Sequence, residues 1–214
     1  MLMKYRVYFL AAIACLVVCF SAYAVESDDA YILGEVKNVY TNCALGAEAH
    51  FDDNWRILSR PEIAQLMGLA ASSSPSLEEL AKGNMPVFLV AAKDGTANIN
   101  IVIVKLGAQI AEILSNAEAD SVFVDMYMDG AAQGVSKTYT EMGVNDFTVE
   151  RIKTNFLGSE HPGVFSTAKI HELITQYQKQ VVCFSGEYAI TLTATSLGID
   201  KTDDMLAMFR KIGN

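Results

Sequence analysis

The sequence predicts an α+β fold, an antiparallel β-sheet flanked by helices, and three stretches carry that expectation. Gln180 to Ser196, QVVCFSGEYAITLTATS, sets two runs of β-branched and aromatic residues about Ser185-Gly186-Glu187, where Gly186 supplies the positive φ that a tight reversal needs. Its second arm alternates Tyr188, Ile190 and Leu192 with Ala189, Thr191 and Thr193, so the hairpin belongs near the centre of a sheet with a core on the apolar side. Pro86 to Ala92 is a continuous apolar run of strand length, and after the turn Lys93-Asp94-Gly95-Thr96 the return from Ala97 to Lys105 alternates Ile99, Ile101 and Ile103 with Asn98, Asn100, Val102 and Val104. Helical spacing then takes over through Leu106, Ile110, Ile113 and Leu114, and again from Asp120 to about Met142.

In chain order, Met1 to Arg6 carries Lys4 and Arg6, Val7 to Phe20 is apolar, and Ser21-Ala22-Tyr23-Ala24 ends in Ala-x-Ala, the three parts of a secretory signal peptide over residues 1–24. The apolar run is shorter than the roughly 20 residues of a bilayer span. An uncleaved anchor and a lipidated cysteine stay open, since Ala12-Ile13-Ala14-Cys15 and Leu16-Val17-Val18-Cys19 each satisfy half of a lipobox. Residues 25–33 are acidic and weakly patterned, a flexible lead-in to a single domain over 34–214. Short strands are expected over Gly34 to Asn42 and Ala44 to Phe51, with the extended pattern resuming at Trp55, Ile57 and Leu58 and Trp55 acting as a core anchor.

Ser59 and Glu62 form a capping box with Pro61 in the first turn, and a second box, Ser76 to Glu79, starts another short helix. In the long helix from Asp120, Phe123, Met126, Tyr127, Ala131 and Met142 mark the core face, Gly130 a bend and Gly143 the cap. Asp146 to Phe156 is a strand whose slip in phase between Val149 and Ile152 suggests a bulge. Gly158 to Gly163 is a turn or edge, Val164 to Ile170 and Leu173 to Phe184 complete a meander, and Asp200 caps a helix with Met205, Met208, Phe209 and Ile212 on one face.

The chain carries a formal charge of −9, and loss of Lys4 and Arg6 with the leader makes the balance −11. An acidic surface without a basic cluster argues against nucleic acid and anionic headgroups as partners. Beyond the leader two cysteines remain, Cys43 and Cys183, which an oxidising compartment would allow to bridge; small core thiols are the other reading.

Chemistry is sparse. His50 precedes Phe51-Asp52-Asp53, yet no second histidine stands at metal-ligand spacing, so no metal site is expected. Glu160-His161 offers a base and an orienting group, but Gly-x-Ser-x-Gly is missing from the chain and His161 precedes Pro162 as turn residues do. Cys183 lies between Val182 and Phe184, a setting for an inert thiol, and His171 has no companion. No phosphate loop or dinucleotide fingerprint occurs, so no cofactor is expected. The methionines at 126, 128, 142, 205 and 208 fit helical core faces, with an adaptable partner surface as the second reading.

The order Gly34, Val36, Tyr40-x-Asn42, Gly46 and Trp55, then SRPEIAQLMGL, NINIVIVKLG, FLGSEHPGVF and VVCFSGEYAITLTATS, resembles small exported or lipid-anchored proteins of gut anaerobes with the PsbP-like α/β/α sandwich shared with the Mog-type Ran-binding proteins. The likeness spans about Gly34 to Ile212. It departs from the group in its poor lipobox and in Asp52-Asp53-Asn54, where a proline often precedes the tryptophan. The resemblance implies an antiparallel sheet flanked by helices and a non-catalytic binding or assembly role, and it transfers no binding residues. The expectation is therefore an exported, non-catalytic binding or accessory protein whose partner is another protein or an envelope component, touching a membrane only through a retained or lipidated N-terminus. A small secreted hydrolase and a homo-oligomeric structural module are the alternatives.

Overall fold

The computed structural model describes residues 35–36, 39–59, 61–63, 65, 87–106, 108–114, 117–170 and 174–213. The leader over 1–24, the lead-in over 25–33, most of the helix begun at Ser59, the helix from Ser76, and His171 lie outside the described residues. The elements run β1 (Glu35–Val36), β2 (Tyr40–Asn42), β3 (Ala47–Ala49), β4 (Trp55–Ile57), β5 (Val87–Ala92), β6 (Ala97–Lys105), α1 (Ala108–Leu114), α2 (Ala117–Glu141), β7 (Phe147–Phe156), β8 (Ser159–Ile170), β9 (Ile174–Ser185), β10 (Tyr188–Leu197), α3 (Thr202–Leu206) and β11 (Phe209–Lys211).

Seven strands form one antiparallel sheet in the order β4-β5-β6-β10-β9-β8-β7, with β10 in the middle. The hairpin from Gln180 to Ser196 is thus central, and its loop is Gly186-Glu187, with Gly186 at φ 56° between the paired Ser185 and Tyr188. From Ala189 to Ser196 every residue of β10 is buried, so both faces of the strand are covered. On one face Ile190, Leu192 and Ala194 join Ile99, Ile101 and Ile103 of β6 and Val181 of β9. A four-stranded sheet, β1-β2-β3-β11, closes over this core with Tyr40, Ala47, Ala49 and Phe209, helped by Met205 and Leu206 of α3. On the other face α2 lays Phe123, Tyr127, Met128, Ala131, Val135 and Tyr139 against Val164, Ala168, Val182 and Ala189.

Local signals explain the joints. Ser59 and Glu62 make the expected box, Glu62 Oε2 accepting from the Ser59 N–H at 2.9 Å and from Ser59 Oγ at 2.8 Å. These bonds and the Arg56 guanidinium hold the exposed Glu62 carboxyl at about 2. The β5–β6 turn places Gly95 at φ 75° while Asp94 Oδ1 accepts from the Thr96 N–H at 2.9 Å. Gly143 ends α2 at φ 75°: its N–H donates to Thr140 O at 3.0 Å and that of Val144 to Tyr139 O at 2.9 Å, the paired bonds of a Schellman motif. The helix passes through Gly130 without a break.

Four expectations are corrected. The register between β7 and β8 runs without interruption, so there is no bulge near residue 150. The phase slip arises because Phe147 and Val149 face α2 whereas Phe156, further along the strand, packs into the core on the opposite face. The segment Gly158 to Gly163 is strand from Ser159, and the turn is Leu157-Gly158, both at positive φ (52° and 73°). Pro162 is tolerated in β8 because the ladder to β9 begins only at Gly163. The C-terminal helix stops at Leu206, and Phe209 to Lys211 pair with β3 instead. Phe209 gains edge-on contacts with Tyr40 and Phe51, ring centroids 6.4 and 6.2 Å away, which a continued helix would forfeit, and Ile212 is exposed. Met126 sits on the outer side of α2 at 60% exposure, while Met128 takes the buried place.

Gly163 tolerates no side chain, since a Cβ there would lie 2.3 Å from Gln180 O. Gly163→Ala is expected to lower stability in urea unfolding by about 1–3 kcal/mol. Gly130→Ala, whose Cβ meets nothing within 4 Å, should raise it by about 0.5–1 kcal/mol through helix propensity.

Candidate functional site

Adjacent residues of a strand project to opposite faces, and this separates the two candidates in β8. Glu160 lies on the α2 side and is exposed, its Oε1 accepting from Lys153 Nζ at 2.9 Å. The His161 ring lies on the other side, T-shaped against Phe156 with centroids 6.0 Å apart, and its Nδ1 is 3.5 Å from Cys183 Sγ. Glu160 therefore does not orient His161. His50 is in neither place: it is exposed at the end of β3, 3.8 Å from Glu48 Oε1 and in contact with Arg210, which also bonds Glu48 at 2.7 Å.

Cys183 and His161 have the composition of a catalytic dyad but not its electrostatics. Burial pushes the Cys183 thiol up to about 12, with no positive group to hold a thiolate. Burial also lowers the His161 imidazole below its usual range, against a smaller opposing effect from its hydrogen bond to the Phe156 backbone. Both groups are held neutral, so proton transfer between them is disfavoured in either direction. Cys43 is exposed, Cys183 is buried, and both thiols are free, so the bridge weighed between them is not formed. Among the described residues no three His, Cys, Asp or Glu side chains converge as a metal site would require.

What the structure does assemble is a groove of about 770 Å³ between α1, the first turns of α2 and the β8–β9 end of the sheet. Leu114, Val124, Pro162, Val182 and Phe184 give it apolar walls, and Asp125, Lys153, Glu160 and His161 stand among its lining. Phe184 is fixed by edge-on contacts with Phe123 and Tyr127, at 6.0 and 5.3 Å between centroids. Arg151 spans Asp125 and Asp129, one helical turn apart on α2, with the Asp129 bond at 2.8 Å, and thereby ties β7 to the helix beside the groove. On its outer side α2 presents Val122 and Met126, 61% and 60% exposed and four residues apart, on one stripe.

No protein-family model matches the chain, and no curated protein matches its sequence. Among solved structures the chain is similar to LpqN, described as involved in cell envelope biogenesis of Mycobacterium tuberculosis, at 14% identity and a TM-score of 0.35 over 75% of each chain. It is also similar to the cyanobacterial PsbP, CyanoP, of Synechocystis sp. PCC 6803, at 13% identity and a TM-score of 0.41 over 82% of this chain and 93% of that one. Neither likeness bears on what the groove holds.

Of the groove residues, sequence reading singled out Glu160 and His161; the rest escaped it because they are mostly apolar and come from separate elements. The available signal was Val122 and Met126, two large apolar residues in a helix whose core stripe is already filled by Phe123, Tyr127 and Ala131.

Two outcomes test these assignments. A maleimide probe should label Cys43 in the folded protein and reach Cys183 only after denaturation. Because the folded His161 binds its proton less readily than the unfolded chain does, stability is full above about pH 6.5 and falls as acid titrates the unfolded state. His161→Gln should flatten that part of the urea midpoint against pH, and equal slopes in the two proteins would refute the assignment.

Proposed function

We propose that the protein is a non-catalytic, extracytoplasmic binding or accessory protein that holds a protein partner of the cell envelope in the groove. The partner offers a short segment with apolar side chains. The observation that carries this reading is the groove itself, apolar in its walls, with Asp125, Lys153 and Glu160 among its lining, together with Val122 and Met126 exposed on the same turns of α2. Its volume falls in the roughly 300–1,000 Å³ range of recognition pockets. Exposed apolar residues mark interaction surfaces, and a chain of formal charge −9 draws basic partners. The non-catalytic part is supported by the neutral state of His161 and Cys183 and by the projection of Glu160 away from them. Export is supported by the basic, apolar and Ala-x-Ala segments of residues 1–24.

A photo-crosslinking residue placed at Ser121, inside the groove, should capture one dominant envelope protein, identifiable by mass spectrometry, while the same residue at Asp94 in the β5–β6 turn should not. Val122→Glu combined with Met126→Glu should leave folding intact and weaken the captured partner at least tenfold. Identical capture from the two positions would mean that the groove has no dedicated partner.

A further inference from the structure

One edge of the large sheet ends in a long open strand. Among the described residues β7 pairs only with β8 and stands last in the strand order, ten residues long, whereas β4 at the other edge has three. Bonded and non-bonded residue pairs alternate along an antiparallel ladder, so one contact fixes which way each backbone group of β7 points. Extending the register by one pair beyond Phe147 and Ala168 sets Asp146 opposite Lys169, and the Lys169 N–H donates to Asp146 O at 2.8 Å. Even-numbered residues of β7 therefore bond β8. Phe147, Val149, Arg151, Lys153 and Asn155 turn their N–H and C=O groups outward, where no described strand meets them.

Soluble proteins ordinarily close such an edge with a short strand, a proline, a bulge or charges that project past it. β7 runs ten residues without proline, and its ladder is uninterrupted. Its cations are drawn back over the sheet, Arg151 to Asp125 and Asp129 of α2 and Lys153 to Glu160 of β8. A second copy of β7 does not suit the edge. Residues that meet across a two-fold pair of strands project from the same face, so odd meets odd and even meets even. The registers centred on residues 150, 151, 152 and 153 then set Glu150 against Glu150, Arg151 against Arg151, Arg151 against Lys153 and Lys153 against Lys153. Like charges directly opposite one another are destabilising, so the strand that fits here comes from a different protein.

We propose that β7 is a docking edge to which a protein partner adds an extended antiparallel strand, with a basic residue opposite Glu150 and an apolar β-branched residue opposite Ile152. The outward N–H and C=O groups match an extended backbone about 4.8 Å away, and antiparallel addition continues the pairing of every strand in the sheet. Glu150 is exposed and makes no ion pair among the described residues, whereas Arg151 and Lys153 already share three carboxylates, so the charge left to satisfy across the edge is negative. Ile152, half-buried beside Gly163, gives the same row its apolar contact. Positions opposite Glu150 and Ile152 are two residues apart on one face of the partner strand, so its signature is a basic residue and a β-branched one with any residue between them. The inference does not rest on the groove reading, since the edge offers backbone groups and the groove offers side chains.

The test combines amide hydrogen exchange with peptide selection on the purified full chain. In the free protein the amides of Val149, Arg151 and Lys153 should exchange faster than those of Glu150, Ile152 and Thr154. Random peptides displayed on phage and selected on the protein should be enriched in the basic, any, β-branched pattern and, made as synthetic peptides, should slow exchange at Val149, Arg151 and Lys153 at least tenfold. Arg151→Pro removes an outward N–H and leaves the bonds to β8 in place, so it should weaken these peptides at least tenfold, while Arg151→Ala binds them as the wild type does. Glu150→Lys should turn the selection from basic to acidic residues. Val122→Glu with Met126→Glu should leave binding unchanged, which separates this edge from the groove. The exchange measurement needs no variant and stands even where Arg151→Pro does not fold. The proposal is overturned if the odd-numbered amides are protected in the free chain, if no peptide is enriched, if enriched peptides protect groove residues instead, or if Arg151→Pro binds them as well as Arg151→Ala does.

Discussion

A strand that is buried on both faces has to be covered twice, and β10 imposes that requirement on the whole molecule. It pairs along its length with β6 on one side and β9 on the other, so its backbone is satisfied within the sheet and its side chains determine what must lie above and below. Ile190 and Leu192, each fully buried and each contributing about 1.5–3 kcal/mol, call for an apolar layer, which the small sheet and α3 supply. Ala189 and Thr191 call for the second layer, which is α2. Among the described residues the two layers share no core; the large sheet separates them.

The second layer is where the molecule departs from economical packing. Under the first half of α2 the sheet is apolar, and the helix leans on it through Phe123 and Tyr127 while leaving the groove open beside them. Toward its C-terminal end the helix instead offers Tyr139 to a glutamine-lined surface. One face thus carries two environments, an amphipathic cleft at one end and buried uncharged polar side chains at the other. Ion pairs such as Lys153 to Glu160 are exposed and contribute little to stability, so their weight falls on the character of the rim.

Elements with a clear period were legible before any coordinates. The alternation from Ala97 to Lys105 and from Tyr188 to Ser196 survives residue for residue, because period two leaves a strand only one way to face each layer. Turn and cap chemistry was equally plain at Asp94-Gly95, Gly143 and Gly186. Errors arose where one pattern served two structures. In β7 a change of core mimicked a bulge, and at the C-terminus the burial of Met205, Leu206 and Phe209 satisfied helical spacing although a short helix followed by a strand buries them as well. Met126 shows the limit of period alone, since residues 126, 127 and 128 all fit an apolar stripe of adequate width. The candidate residues fared similarly. Glu160 and His161 are neighbours in sequence and for that very reason project to opposite faces; both border the groove, whose remaining lining comes from side chains far apart in the chain that carry no motif.

By itself, then, the sequence determined the secondary structure of the large sheet, its central hairpin and the acidity of the surface, because these follow from local periodicity, turn stereochemistry and composition. Only the tertiary structure decided which faces are covered, that Cys183 and His161 meet as neutral groups, that a cleft opens between the first turns of α2 and the β8–β9 end of the sheet, and that polar side chains of β6, β9 and β10 are buried together. Each of these depends on strand order and on which layer lies above a given face, and neither quantity is written in any stretch of consecutive residues.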